Sequence, residues 1–193
     1  MNTVITKTRY TPDDLLTMPE GDHYELVDGQ LVERNMGFRS GRVAAELVWL
    51  LASHCKKYAL GWVLPSDVGY QCFPDDPEQI RKPDVSFLRK ERLPADQEPE
   101  GHCRVAPDLV VEVVSPNDLF EEVTGKVEEY LSAGVLLVWV VDPARRRVSV
   151  YRRDGTGTVL RPDDELTGED ALAGFRCRVG DLFVPPPGTL PSS

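Results

Sequence analysis

Hydrophobic and polar positions alternate along HYELVDGQLVER (23–34), where two short apolar segments flank Asp28-Gly29. That spacing predicts a β-hairpin closed by a two-residue turn. Just upstream, Thr11-Pro12-Asp13-Asp14 has the grammar of a helix start, with a capping hydroxyl, Pro in the first turn and acids at the positive end of the dipole. This helix should be short and stop near Pro19. Between Ser40 and about Leu60 the period lengthens. Val43, Leu47, Leu50, Leu51 and Tyr58 recur at helical spacing and predict one buried face, with Arg42, Glu46, Lys56 and Lys57 outside. GWVLPSDVGYQCF (61–73) and PDVSFL (83–88) read as strands, and the intervening PDDPEQIRK as a polar loop. Residues 89–106, rich in charge, Pro and Gly, read as an exposed loop with room for one helical turn.

The strongest strand signal is in PDLVVEVVSPND (107–118). Asp108–Val114 is apolar almost without interruption, which implies burial on both faces, as at the centre of a sheet covered by helices. Asn117 or Asp118 can cap a helix running to about Ala133, and Gly134 ends it. GVLLVWVVDPARRRVSVYRRDG (134–155) then predicts a second hairpin turning at Asp142-Pro143. A last irregular β-rich segment contains Leu166, Leu172, Phe175 and Val179, and the Pro-rich tail 186–193 is expected to be disordered. These elements make an α/β domain over residues 1–185, a mixed β-sheet flanked by helices with one strand–helix–strand crossover at 108–141.

Composition narrows the picture. The 193 residues suffice for one domain with a real core. No apolar run is long enough to span a bilayer and the N-terminus lacks a signal-peptide apolar core, so a cytoplasmic protein without membrane contact is expected. The four cysteines (Cys55, Cys72, Cys103, Cys177) are scattered singly and read as reduced thiols. A zinc site would need them to converge with His23, His54 or His102. A net charge of −10 argues against tight non-specific binding of DNA, though not against a local patch. The arginines at 145, 146, 147, 152 and 153 are followed by acids at 163, 164, 165, 169 and 170, which suggests a solvated hairpin facing an acidic loop.

Four ionisable residues stand where the local pattern does not ask for them. Glu112 interrupts LVVEVV, and an ionised carboxylate in an apolar interior is costly unless paired or coordinated. Glu25 lies within the first strand, where it also suits a solvent face. Asp84 follows Pro83 at a strand start, where it also suits a turn. Lys126 lies among Val123, Val127, Tyr130 and Leu131, with Glu122 and Glu129 offering a surface ion-pair ladder. Taken together they suggest chemistry. Carboxylates from adjacent strands hold a hard cation such as Mg²⁺, and a neighbouring lysine can orient or deprotonate a water and offset charge developing on phosphorus.

The ordered motifs HYELVDGQLVE, RKPDVSFL, PDLVVEVVSPND and GKVEEYLSAGVLLVWVVDP resemble the Uma-type restriction endonuclease family of the PD-(D/E)XK nuclease superfamily, across roughly Tyr10 to Phe183. The resemblance implies a restriction-endonuclease-like fold and a Mg²⁺-dependent endonuclease acting on DNA, with Mn²⁺ as an alternative cation and a homodimer as the assembly. It implies Asp84 and Glu112 as metal-binding acids, the backbone carbonyl of Val113 as a further ligand, and Glu25 as the acid of the N-terminal segment. The superfamily signature places Lys two residues after the strand Glu, but this chain has Val114 there. The resemblance assigns that role to Lys126, in the Lys126–Tyr130 motif of the next helix. Ser40 stands where relatives often carry His, and Tyr70 and Gln71 read as packing or orientation residues. Two other readings fit the acidic charge: a nuclease-fold interaction or nucleic-acid-binding protein that does not cut, and a metal-dependent hydrolase of a small phosphorylated molecule.

Overall fold

The computed structural model describes residues 8–34, 36–115 and 118–185. Helix α1 (Pro12–Thr17) opens as expected with a capping box: Thr11 Oγ1 accepts from Asp14 N while Asp14 Oδ2 accepts from Thr11 N. The hairpin of β1 (Tyr24–Val27) and β2 (Gln30–Glu33) turns through Asp28 and Gly29, both at positive φ (50° and 74°), as a primed two-residue turn requires. Helix α2 (Phe38–Tyr58) follows, ended by Ala59 in the left-handed conformation. Its buried stripe is Ser40, Val43, Ala44, Leu47, Leu51 and Cys55. Tyr58, expected on that face, is exposed instead and lies against the His54 ring, 4.8 Å between centroids.

A six-stranded sheet has the order β3-β4-β5-β6-β7-β8, from β3 (Gly61–Pro65), β4 (Val85–Arg89), β5 (Leu109–Val113), β6 (Leu137–Asp142), β7 (Arg147–Arg152) and β8 (Gly157–Leu160). Only β5 and β6 are parallel, and α3 (Phe120–Ser132) makes the crossover between them. The sheet is therefore mixed and the class α/β, as the pattern predicts. Gly134 (φ 97°) ends α3, and the β6–β7 hairpin turns after Asp142. A small ribbon of β9 (Glu165–Thr167) and β10 (Arg176–Arg178) completes the chain.

The pleat divides the core into two. Val85, Phe87, Leu109, Val111 and Val113 pack with α2, whereas Leu88, Val110, Val138 and Val140 pack with Val127 and Tyr130 of α3. A third, smaller cluster of Leu15, Leu26 and Ile80 joins the N-terminal hairpin to the body.

Several expectations change. The strand expected over 61–73 ends at Pro65, and Tyr70 returns only as an isolated bridge to Arg81 and Cys103. The polar loop 74–82 is not all loop: Gln79, Ile80, Arg81 and Lys82 are buried, and Ile80 exchanges both backbone hydrogen bonds with Leu26. The stretch is polar yet buried because the N-terminal hairpin docks on it, a non-local event. Residues 89–106 do contain one turn of 3-10 helix (Ala95–Gln97), but buried Leu93 and Cys103 anchor the loop. Asp118 does not cap α3; it accepts from Ser115 N at 2.7 Å, and Leu119 occupies the cap. Asn117 and the tail 186–193 lie outside the described residues. The arginine-rich hairpin meets the expected acidic loop at Arg152, which forms a bidentate pair with Glu169. Arg145 and Arg147 turn to Asp142, an acid of their own hairpin, and Asp163 of the loop takes Arg178 instead.

Candidate active site

Register sets the site. Val85 lies opposite Val111 and Ser86 opposite Val110, so one step further Asp84 falls opposite Glu112. Both have the parity of the α3-facing residues, and the ladder is locked there by Val113 N donating to Asp84 Oδ2 at 2.7 Å. Helix α3 covers this face, and its i, i+4 pair Lys126 and Tyr130 reaches the same point. Tyr130 Oη donates to Glu112 Oε1 at 2.8 Å, and Lys126 Nζ stands 3.9 Å from Glu112 Oε2. An ammonium thus stands beside Glu112 although position 114 is Val.

Glu25 arrives from β1 and is almost wholly enclosed. Its Oε2 takes Lys126 Nζ at 3.0 Å and Arg81 Nη1 at 3.0 Å, and its Oε1 accepts from Lys82 N at 2.8 Å. All four candidate residues and Val113 line one cleft of about 470 Å³. Lys126 does not form the expected ladder with Glu122 and Glu129. Glu129 instead holds Arg81 in a two-pronged pair (2.7 and 2.8 Å) and accepts from Gln79 Nε2 at 2.6 Å. Arg81 therefore ties the helix bearing Lys126 to the strand bearing Glu25.

The electrostatics follow from this burial. Enclosure pushes the Glu112 carboxyl up to about 7, and Asp84 and Glu25 add to the rise against the attraction of Lys126. Asp84 is raised for the same first reason, opposed by the Val113 N–H and Arg34, whose Nη2 is 3.6 Å from Oδ1. Burial would also raise Glu25, yet Lys126, Arg81 and the Lys82 N–H together hold it below the usual range. Lys126 is raised despite burial, because Glu112 and Glu25 stabilise its ammonium. A lysine held charged in this way is a poor base and a good electrostatic donor.

Sequence reasoning did not find Arg81, Gln79, Glu129 or Arg34. The first two lie in the stretch read as loop, and RKPD, two cations directly before the acidic strand start, was the available signal. Ser40 is buried with its Oγ 3.1 Å from Ser115 Oγ, joining the start of α2 to the cleft wall. Tyr70 is a packing residue, its hydroxyl 2.7 Å from Ser86 Oγ, and Gln71 Nε2 donates to Pro77 O. His102 and Cys103 are engaged separately, at Pro12 O and Val105 O. Among the described residues no group of three or more His, Cys, Asp or Glu side chains forms a metal cage. The pair Asp84 and Glu112 is a different arrangement, with each carboxylate anchored through one oxygen. No helix among the described residues is long and apolar enough to cross a membrane.

The fold is shared. A solved structure from Anabaena variabilis ATCC 29413, described as "a putative nuclease belonging to DUF820", superposes with a TM-score of 0.76 over 90% of this chain and 97% of that one, at 24% identity. No curated protein matches the chain. Residues 12–180 match the Uma2 family, described as "Putative restriction endonuclease". With nearly the whole sheet, α3 and every residue of the cleft inside that span, the chain belongs to the Uma2 family.

Proposed function

We propose that this protein is a divalent-cation-dependent endonuclease that hydrolyses phosphodiester bonds of DNA. The observation that carries the reading is the pair Asp84 and Glu112, opposed across β4 and β5 on one sheet face. Each is fixed through one oxygen, and each has its second oxygen only loosely approached by a cation, at 3.6 and 3.9 Å. Two neighbouring acids whose proton affinity burial raises, Glu112's further by Asp84, suit a hard cation, which is held by one or two carboxylates with waters and substrate phosphate. The Asp84 and Glu112 carboxylates, with the Val113 carbonyl, would hold Mg²⁺ or Mn²⁺. When bound, the cation supplies Lewis-acid neutralisation of charge at the reacting phosphate.

The chain's own groups do the rest. Tyr130 Oη keeps Glu112 turned towards the cleft. Lys126, kept protonated, donates to the attacking water or to a phosphoryl oxygen and offsets the charge gathering there. Glu25 positions Lys126. The water oxygen bonds to phosphorus, one P–O ester bond breaks, and the departing oxygen leaves as a protonated hydroxyl. Nine carboxylates of the cleft face four cationic side chains, so a phosphate is repelled until cations bind.

The test is nicking of supercoiled plasmid with Mg²⁺ or Mn²⁺, comparing wild type with Glu112→Gln and Lys126→Ala. Activity surviving both substitutions would overturn the assignment. The net charge of −10 favours one further reading, hydrolysis of a small phosphorylated molecule, which predicts release of phosphate without plasmid nicking. Pairing of two copies would suit cleavage of both strands. Sedimentation with and without duplex DNA tests it.

A further inference from the structure

A second cavity of about 240 Å³ adjoins the catalytic cleft, and Asp22, Asp67 and Lys82 line both. Its walls are largely apolar. Leu64, Val68 and Leu93 surround the indole of Trp62, whose Nε1 donates to Leu93 O at 2.9 Å and so fixes the ring. Leu16 stands at its edge half exposed, an apolar side chain that no core cluster uses. Lys82, only 3% exposed, occupies the junction of the two recesses. Its ammonium donates to Gly21 O at 2.9 Å, and among the described residues no carboxylate is within ion-pair distance. Two of its N–H donors are therefore without a protein partner in a place where burial makes unmet donors costly.

We propose that this cavity is a nucleobase pocket. One base of the DNA substrate, turned out of its stack, lies against Trp62 and the aliphatic walls. Its phosphate stays in the cleft beside Asp84 and Glu112, and Lys82 donates to that nucleotide where the two recesses meet. The inference rests on the nuclease reading and specifies its substrate. The polar groups of the pocket decide the ligand class. Glu98 and Glu100 join Asp22 and Asp67 around it, so an anion is the wrong occupant. Carboxylates only accept, and the matching partner is an apolar planar ring with N–H donors. Adenine, cytosine and guanine carry an exocyclic amino group and thymine does not. Turning a base out costs least when it is already unpaired, so single-stranded or locally unpaired DNA is favoured over continuous duplex.

The experiment uses full-length Glu112→Gln protein, which binds without cutting, and a single-stranded oligonucleotide containing 2-aminopurine, an amino-bearing base whose fluorescence rises when it leaves the stack. Binding should change the fluorescence, and with Trp62→Leu added, which removes the indole that quenches a stacked probe, the bound probe should be several-fold brighter. Lys82→Met and Leu16→Trp, the second an exposed position that leaves the core untouched, should each weaken binding about tenfold. Thymine in place of the probe base should weaken it in the same direction. Binding with unchanged fluorescence, or affinity unmoved by both substitutions, would overturn the pocket while leaving wild-type nicking intact. If the wild type neither nicks plasmid nor the variant binds DNA, the nuclease reading itself falls.

Discussion

The two faces of the central sheet are built from alternate residues of the same strands, yet they behave as different materials. On the α2 side, Val85, Phe87, Leu109, Val111 and Trp139 meet Val43, Leu47 and Leu51 in a core without a charge. On the α3 side, the same two strands present Asp84, Ser86 and Glu112 to Lys126 and Tyr130, with apolar packing only further along. The pleat thus keeps stability and chemistry one residue apart. Burial on one face releases free energy, and burial on the other raises the proton affinity of Asp84 and Glu112 beside an ammonium that stays charged.

Substitutions on each face should separate these roles. The largest effect is expected from Glu112→Gln, which would remove one of the two carboxylates of the proposed cation site. Nicking should fall by about 10³-fold or more, a barrier increase of ~4 kcal/mol, while the melting temperature at pH 8 holds or rises because a buried charge is gone. Leu47→Ala, across the sheet, should do the reverse. Urea denaturation should show a loss of about 2–5 kcal/mol, and the folded fraction should keep its cation dependence. Lys126→Ala should slow nicking by about 10²–10³-fold at saturating cation, with cation affinity changed little. Trp139→Phe removes the one buried side-chain nitrogen or oxygen that makes no hydrogen bond at all among the described residues, and should shift stability by no more than about 1 kcal/mol.

Proton linkage sharpens the same contrast. The folded-state value for Glu112 is about 7 against an ordinary 4.5, so between these the native chain holds a proton that the unfolded chain has released. Stability of the cation-free protein should therefore fall as pH rises from about 4.5 to 7 and level off above. Thermal denaturation in chelator across pH 5–8 checks this. Glu112→Gln should flatten the slope, and added Mg²⁺ should oppose it by taking the proton's place. Glu25, held low by its cationic neighbours, works in the opposite sense, and its contribution is lost only as pH falls below the usual carboxylate range.

Much of this was legible in the chain because it depends on local pattern. LVVEVV announced a strand buried on both faces, and the interruption at Glu112 announced the site. Asp28-Gly29 and Gly134 marked their turns, since only a few residues tolerate those dihedrals. What stayed hidden depends on docking. Gln79, Arg81 and Lys82 look like loop residues until the β1–β2 hairpin covers them, and no periodicity records that event. The partner of Glu129 was misjudged for the same reason, because helical spacing offers Lys126 while the fold supplies Arg81. Tyr58 was placed in the core by spacing alone, yet its ring stays exposed beside His54 and Lys57.

The attachment of Glu25 has a consequence for synthesis and folding. Its carboxylate is contributed near the start of the chain, and the lysine it holds comes roughly a hundred residues later, after three strands of the central sheet have been laid down. Contacts of such separation are closed late, because the entropy of a long loop must be met before they return any stabilisation. A growing chain therefore carries Asp84 and Glu112 before it has the ammonium of Lys126 that lies beside Glu25 and Glu112. The four-residue cleft should come into being only with the finished fold, so on the proposed reading a partly made copy would not cut.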